Sequence, residues 1–222
     1  MGLLATYRRL VYGIRPRTSL SRKTQLMLKT NKTGMPRHLE IGPGTGRIPG
    51  FETLDVVDGP NVDYICDAAG PLPFPDGTFE LIYASHALEH VPWNQTEQVL
   101  QEWARMLKPG GRLEVWVPDG LKICKAFVDA EVNGDNYIHR DGWYRWNEEK
   151  DPCKWAAGRI FTYGDGEGDI DSPNWHRAIF SARYLRLLLE RVGLRDVREM
   201  GQGEVRGHDH GWINLGLCGT KP

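Results

Sequence analysis

His38-Leu-Glu-Ile-Gly-Pro-Gly-Thr-Gly46 decides the reading of this 222-residue chain. An apolar run carrying one acid, Glu40, leads into three glycines at alternate positions, Gly42, Gly44 and Gly46. A strand that runs into such a turn lets backbone approach a ligand where a Cβ would intrude. In an open parallel sheet that ligand lies beyond the carboxyl end of the strand, where the strand order reverses. Glycine-rich turns also serve as plain turns, so the weight of the motif comes from its surroundings.

Working outward, Phe51-Glu-Thr-Leu-Asp55 reads as a short second strand that ends in a carboxylate, and Val62–Asp67 as a third with the same ending. Leu72-Pro-Phe-Pro-Asp-Gly-Thr-Phe-Glu-Leu-Ile-Tyr83 is a turn-rich loop entering a fourth strand, capped by Ser85-His-Ala-Leu-Glu-His90. Val99, Leu100, Trp103, Met106 and Leu107 share one face of a helix predicted over Glu97–Leu107. Lys108-Pro-Gly-Gly111 stops that helix, and Arg112–Pro118 reads as a fifth strand.

Four of these segments, Glu40–Gly46, Leu72–Phe79, Ala87-Leu-Glu-His-Val91 and Met106–Leu113, together resemble class I S-adenosylmethionine-dependent methyltransferases of the type 11-like kind. The resemblance is close over residues 37–118 and looser over 178–220. It implies an α/β, Rossmann-like sheet, mostly parallel with an antiparallel last strand and helices on both faces. It also implies that Glu40, Gly42, Pro43, Gly44 and Gly46 border the methionine part of the cofactor. Asp55 would accept hydrogen bonds from the ribose, Asp67 with Ala68 would meet the adenine edge, and Ser85 and His86 would lie near the transferable methyl. The alternative for Asp55 and Asp67 is that of surface turn acids.

One departure from the family stands out. Only Arg47-Ile-Pro-Gly50 separates Gly46 from Phe51, where the family has a helix. Parallel crossovers ordinarily take a dozen residues or more. The stretch from Pro43 to Gly50 can reach about 27 Å when extended, against ~17 Å for a five-residue strand. An extended return is therefore feasible and leaves one sheet face uncovered. The expectation is that the segment around Leu20–Thr30 packs there instead.

Composition fits a single domain, residues 35–222, preceded by a basic segment, 1–34. The net charge of −1 hides an asymmetry, because residues 1–37 carry nine Lys or Arg and no acid. Leu3, Leu4, Tyr7, Leu10, Val11 and Ile14 recur at helical spacing among arginines. Such a helix can dock on the acidic body, rest on an anionic membrane surface, or act as a transit peptide. Met-Gly-Leu-Leu-Ala-Thr6 also matches a myristoylation pattern. The four scattered cysteines contain no Cys-x-x-Cys pair, and Cys66 and Cys218 lie in apolar runs. A reducing, cytoplasmic setting, with peripheral membrane contact as its variant, is the expectation.

His86-Ala-Leu-Glu-His90 also matches the inverted zinc-peptidase spacing. Its place directly after a strand, with Pro92 cutting off a long helix, favours the methyltransferase reading, and no metal is expected. His86, His90 and His176, in that order, are the candidate catalytic bases, with structural histidines as the alternative. Residues 119–178 form a substrate-side insertion. It holds a helix at Lys122–Val132 and then an aromatic stretch with Tyr137, Trp143, Tyr144, Trp146, Trp155, Phe161, Tyr163 and Trp175. Those rings, among Asp141, Asn147, Arg159 and Arg177, would make either a stacking wall for a sugar or the core of a lid. Asp165–His176 fails as a calcium loop, with Ile170 where glycine belongs and His176 where Glu belongs. Phe180–Val192 reads as an amphipathic helix, and Leu194–Met200 and Trp212–Cys218 as the last strands. His208-Asp-His210 is a polar loop in which a metal shared with His176 is not expected.

The resulting expectation is a methyltransferase acting on an oxygen or nitrogen nucleophile of a small-molecule acceptor, a saccharide or glycolipid-linked one first and a natural product next. A non-catalytic partner subunit on the same fold is the alternative from another class. A nucleic-acid substrate is disfavoured because Ser85-His-Ala-Leu stands where an Asn-Pro-Pro-Tyr motif would.

Overall fold

The computed structural model describes residues 20–29, 35–135, 138, 141, 147–162 and 169–222. The basic helix over Leu3–Ile14, the myristoylation pattern, Tyr137, Trp143, Tyr144, Trp146, Tyr163 and most of the acidic loop after it lie outside the described residues. The elements are α1 (Arg22–Lys29), β1 (His38–Ile41), β2 (Glu52–Asp55), β3 (Tyr64–Ile65), β4 (Phe79–Ser85), α2 (Thr96–Met106), β5 (Leu107–Pro118), α3 (Gly120–Asn133), α4 (Pro152–Phe161), α5 (Ala182–Arg191), β6 (Arg195–Met200) and β7 (Asn214–Thr220).

The strands form one sheet in the order β3-β2-β1-β4-β5-β7-β6. Pairing is parallel from β3 through β5, and β7 runs antiparallel to both β5 and β6. The order reverses between β1 and β4, which makes the crevice at their carboxyl ends the expected ligand position. Lys108–Gly111 does more than stop a helix. Phe79 pairs with Leu107 and Leu81 with Arg112, so the intervening residues bulge out of the ladder. A Cβ on Gly111 would stand 2.8 Å from the Lys108 carbonyl oxygen, a contact that only glycine avoids. β3 is shorter than its sequence suggests, because Val62 is committed to a turn bond with Gly59.

Alternation along the strands divides the side chains between two faces. Leu39, Ile41, Leu54, Ile82, Ala84, Leu113, Val115 and Leu217 point one way, into a core completed by Leu100 and Trp103 of α2 and Leu185 and Leu188 of α5. Both helices are amphipathic at a 3.6-residue period, and burying that stripe is what holds them on the sheet. Ser181 caps α5 by accepting from Tyr184 N.

The opposite face carries a second, smaller cluster of Ile48, Phe51, Leu81, Tyr83, Trp116, Met200 and Cys218. Right-handed crossovers put the β1–β2 connection on this side, opposite α2. Ile48 and Phe51 accordingly cap it where a helix would otherwise sit. The segment after β6 completes the cover, since Arg206 pairs with the fully buried Glu114 at 2.6 and 3.0 Å.

The expectation that Leu20–Thr30 fills the place of the missing helix is corrected here. α1 docks at the β3 edge instead, and its Met27 and Leu28 pack on the larger core, on the other face. Thr24, fully buried, accepts from Ile65 N at 2.9 Å, and Lys23 reaches Asp58 at 3.1 Å. An exposed strand edge with free N–H groups is the more demanding neighbour, whereas the vacated face is already closed by Ile48 and Arg206.

The chain leaves the sheet at Asp119 and returns at Phe180. These residues form a parallel bridge, and Gly120 N donates to Phe180 O at 2.8 Å. Between them α3 and α4 build their own small core of Ile123, Ile138, Trp155 and Ala156, closed by Ile213. Asp119 and Asp151 cap the two helices. Among the described residues no helix is long and apolar enough to cross a membrane.

Candidate functional site

At the end of β1 the chain turns through Gly42 (φ 73°) and Gly44 (φ 57°), conformations that L side chains rarely adopt. A Cβ on Gly42 would stand 3.2 Å from the Ala87 Cβ, so the turn passes hard against the chain leaving β4. Nothing lies within 4 Å of the corresponding position on Gly44, which leaves open space beside it. Gly46 N closes the turn on the Pro43 carbonyl at 3.1 Å. Glu40 is buried on the minor face, and its carboxylate accepts from Ile48 N at 2.9 Å. It thereby fixes the shortened return. Burial pushes its carboxyl up, against the opposing Ile48 bond and Arg47 charge.

Asp55 ends β2 half-buried, with Oδ1 accepting from Val57 N. Asp67 is exposed and accepts from Ala69 N through its own Oδ1. The Ala68 carbonyl is held by Trp103 Nε1 at 3.1 Å, which ties this edge to the main core. Val56 and Val57 are 48% and 56% exposed next to Asp55, an apolar shelf that the sequence reading passed over. The loop at β1, the carboxylates at β2 and β3 and the exit of β4 therefore share one rim.

Beyond β4 the geometry changes character. His86 adopts φ 52°, an uncommon conformation for a residue with a Cβ. Its amide donates to Trp116 O at 2.9 Å, and this kink turns Ala87 toward Gly42. His86 Nε2 meets Asn214 Oδ1 at 2.9 Å, while Asn214 Nδ2 donates to Asp209. Nε2 is thus the donor, and Nδ1 faces Glu89 Oε1 at 3.2 Å. The ring also stacks on His210 at 3.6 Å. With both nitrogens engaged, His86 is built as a positioning residue, and its ring partners His210 and Asn214 lie 124 and 128 positions away in the sequence.

Glu89 is 1% exposed, and neither carboxylate oxygen has an aligned hydrogen-bond partner. Burial opposes its charge, yet His86 beside it draws the carboxyl below the ordinary range. His90 turns Nδ1 toward Trp175 O at 3.4 Å, leaving Nε2 uncommitted. His176 lies 5.0 Å from His90, ring to ring. Burial lowers its pKa to about 4, which keeps it neutral at pH 7. Burial likewise lowers His210 to about 4, with His86 adding to the effect.

His176 arrives here because the returning end of the insertion runs along the 3₁₀ turn Leu88–His90. Arg177 N and Ala178 N both donate to Glu89 O, and Trp93 N donates to Arg177 O. The structure therefore brings His86, His90 and His176 together around a carboxylate absent from the sequence-based set of candidates. His208 is exposed and His210 stacks on His86, so His176 shares its cluster with Glu89 and His90 rather than with that loop.

Within the insertion, Trp155 is core at 1% exposure and Asp141 pairs with Arg159, while Asn147 bonds Asp151. These residues hold the insertion together and form no wall. Phe161 and Trp175 are the stacked pair that stays partly open, with centroids 6.1 Å apart.

Comparison with known proteins finds methyltransferases over part of the chain. A family model described as "Methyltransferase domain" matches residues 50–115. The ubiquinone/menaquinone biosynthesis C-methyltransferases UbiE of Salmonella arizonae and Salmonella newport are 47% identical over 69 residues, 31% of this chain and 25% of theirs. The match thus spans about a quarter of the length of these curated relatives. Among solved structures, the Burkholderia thailandensis 1,6-didemethyltoxoflavin-N1-methyltransferase covers 90% of this chain and 76% of its own at 15% identity, with a TM-score of 0.48. The citrinin polyketide synthase CMeT domain covers 89% of this chain and 50% of its own at 15% identity and the same TM-score.

Proposed function

We propose, from the premise that this chain carries an S-adenosylmethionine-dependent methyltransferase domain, that it moves a methyl group to an oxygen or nitrogen nucleophile of a small acceptor, a saccharide or glycolipid-linked one first. The observation that carries this reading is the close pass of Gly42 against Ala87 where the strand order reverses, with a histidine–carboxylate cluster directly beyond it. S-adenosylmethionine, when bound, supplies a methyl on a cationic sulfonium, so the protein's work is to align and to manage one proton. Alignment of that kind can account for ~7–11 kcal/mol of a barrier.

Gly42 lets the turn pass close against Ala87 and Gly44 leaves room for the cofactor's approach, while the carboxylates of Asp55 and Asp67 accept hydrogen bonds along the rim. Ser85, His86 and Ala87 form the wall nearest the reacting atoms. The acceptor's proton leaves toward the cluster around Glu89, which lies within a few residues of that wall. The partly open Phe161–Trp175 pair, next in sequence to His176, supports a ring-bearing acceptor such as a sugar. The basic residues ahead of Arg37 support contact with an anionic membrane surface, to be read by vesicle flotation.

Titration calorimetry with S-adenosylmethionine tests the premise, with Asp55→Ala as the variant. Binding by wild type that is lost in the variant supports the rim as the cofactor site. Radiolabelled methyl transfer to saccharide acceptors then tests the second half. Product methylated on carbon, the class named in the UbiE relatives, would overturn the oxygen-or-nitrogen reading. No binding by folded wild type would favour the partner-subunit alternative.

A further inference from the structure

We propose that Glu89, His90 and His176 form a binding site for one divalent transition-metal ion of the zinc class. One carboxylate oxygen and one ring nitrogen from each histidine lie within 4.8 Å of one another. In a tetrahedral site with bonds of ~2.1 Å, neighbouring ligands are ~3.4 Å apart, so closure by at most ~1.4 Å brings all three onto one ion. This assignment does not depend on methyl transfer.

Three further observations point the same way. Glu89 is 1% exposed and both its oxygens lack an aligned hydrogen-bond partner, although buried polar atoms are almost always paired. A cation held against Oε2 would supply what is missing, while His86 stays at ion-pair distance from Oε1. Second, His90 turns one ring nitrogen to the Trp175 carbonyl. That arrangement fixes the ring and frees the other nitrogen, as metal-binding histidines commonly require. Third, the backbone is braced, because Arg177 N and Ala178 N donate to Glu89 O and His176 N to Phe161 O.

The donor set selects the ion. Two imidazoles and one carboxylate suit zinc, cobalt or iron, whereas magnesium and calcium take oxygen ligands. The set also differs from the one that the His-x-x-Glu-His spacing suggests. His86 is committed to Asn214 and stacked on His210, so the distant His176 takes its place. Three protein ligands leave a position for water or for an oxygen of an acceptor.

Chelator-treated protein titrated with Co2+ tests the site by visible absorption and calorimetry. The expected result is one equivalent bound with ligand-field bands, and affinity reduced at least tenfold in His176→Ala and in the near-isosteric Glu89→Gln. His208→Ala, which alters an exposed loop histidine, should match wild type. Equal binding in wild type, Glu89→Gln and His176→Ala would overturn the proposal. A wild-type melting temperature unmoved by saturating Zn2+ or Co2+ would overturn it without any variant.

Discussion

The two faces of the sheet are closed by different physics. On one, α2 and α5 bury an apolar stripe against Leu39, Ile82 and Val115, and the packing is mainly between apolar side chains. On the other, neighbouring strands place Glu40, Tyr83, Glu114 and Cys218 in one row across the sheet. Loops latch onto that row through polar bonds, Ile48 N to Glu40, Gly207 N to Tyr83 and Arg206 to Glu114. A short return between β1 and β2 cannot bring a helix, so specific polar contacts do the closing. The contrast teaches that a helix can be dispensed with where a few buried acids find fixed partners.

The comparison breaks most visibly on the helical face. Trp103 is fully buried and its indole N–H also holds Ala68. Trp103→Ala should cost about 3–5 kcal/mol in urea unfolding, with loss of order at the Asp67 edge. On the loop face Arg206→Ala should cost less, about 2 kcal/mol, because Arg112 at 3.1 Å still faces the stranded Glu114. Glu114→Gln should cost less again. Arg206 is 40% exposed there and can turn to water, whereas Glu114 has no such escape. Equal costs for the two would mean that the pair is held by its packing and not by its charge.

Gly42→Ala should cost about 1–2 kcal/mol in stability, from φ 73° and the Ala87 contact together. Its effect on S-adenosylmethionine binding should exceed its effect on stability. If the two fell in proportion, the turn would be serving the fold and not the crevice.

How much of this the sequence discloses follows the same division. The glycine turn, the carboxylate strand endings and the faces of α2 and α5 are local patterns, read from spacing within about a dozen residues. α2 was expected at Glu97–Leu107 and runs Thr96–Met106; α5 was expected at Phe180–Val192 and runs Ala182–Arg191. α4 escaped notice because its aromatic, glycine-containing stretch lacks a clean period. Asp151 followed by Pro152, a cap and a first-turn proline, was the available signal. What local pattern cannot carry is pairing across long separations. Arg206 with Glu114, His86 with Asn214 and His176 with Glu89 each join segments that only the sheet order brings together. Glu89 was legible as part of a motif, but its burial and missing partners exist only in three dimensions.

The smallest expected effect is the most discriminating between the faces. Burial raises the Glu40 carboxyl above its ordinary value, with the Ile48 amide and Arg47 acting in the other direction. The folded state therefore holds that proton more tightly than the unfolded chain does. Stability from this group is full below the unfolded pKa and is lost as pH rises through the folded one. At neutral pH the ionised Glu40 is thus a cost, and Glu40→Gln, whose amide oxygen can still accept from Ile48 N, should match or exceed wild type. The difference should vanish in acid, which urea midpoints at pH 4 and pH 7 would resolve. A wild type more stable than Glu40→Gln at pH 7 would show that Ile48 and Arg47 outweigh burial and that the acid serves the fold alone. The expected result would mean that the fold keeps this carboxylate, with its bond to Ile48, at a net cost in stability.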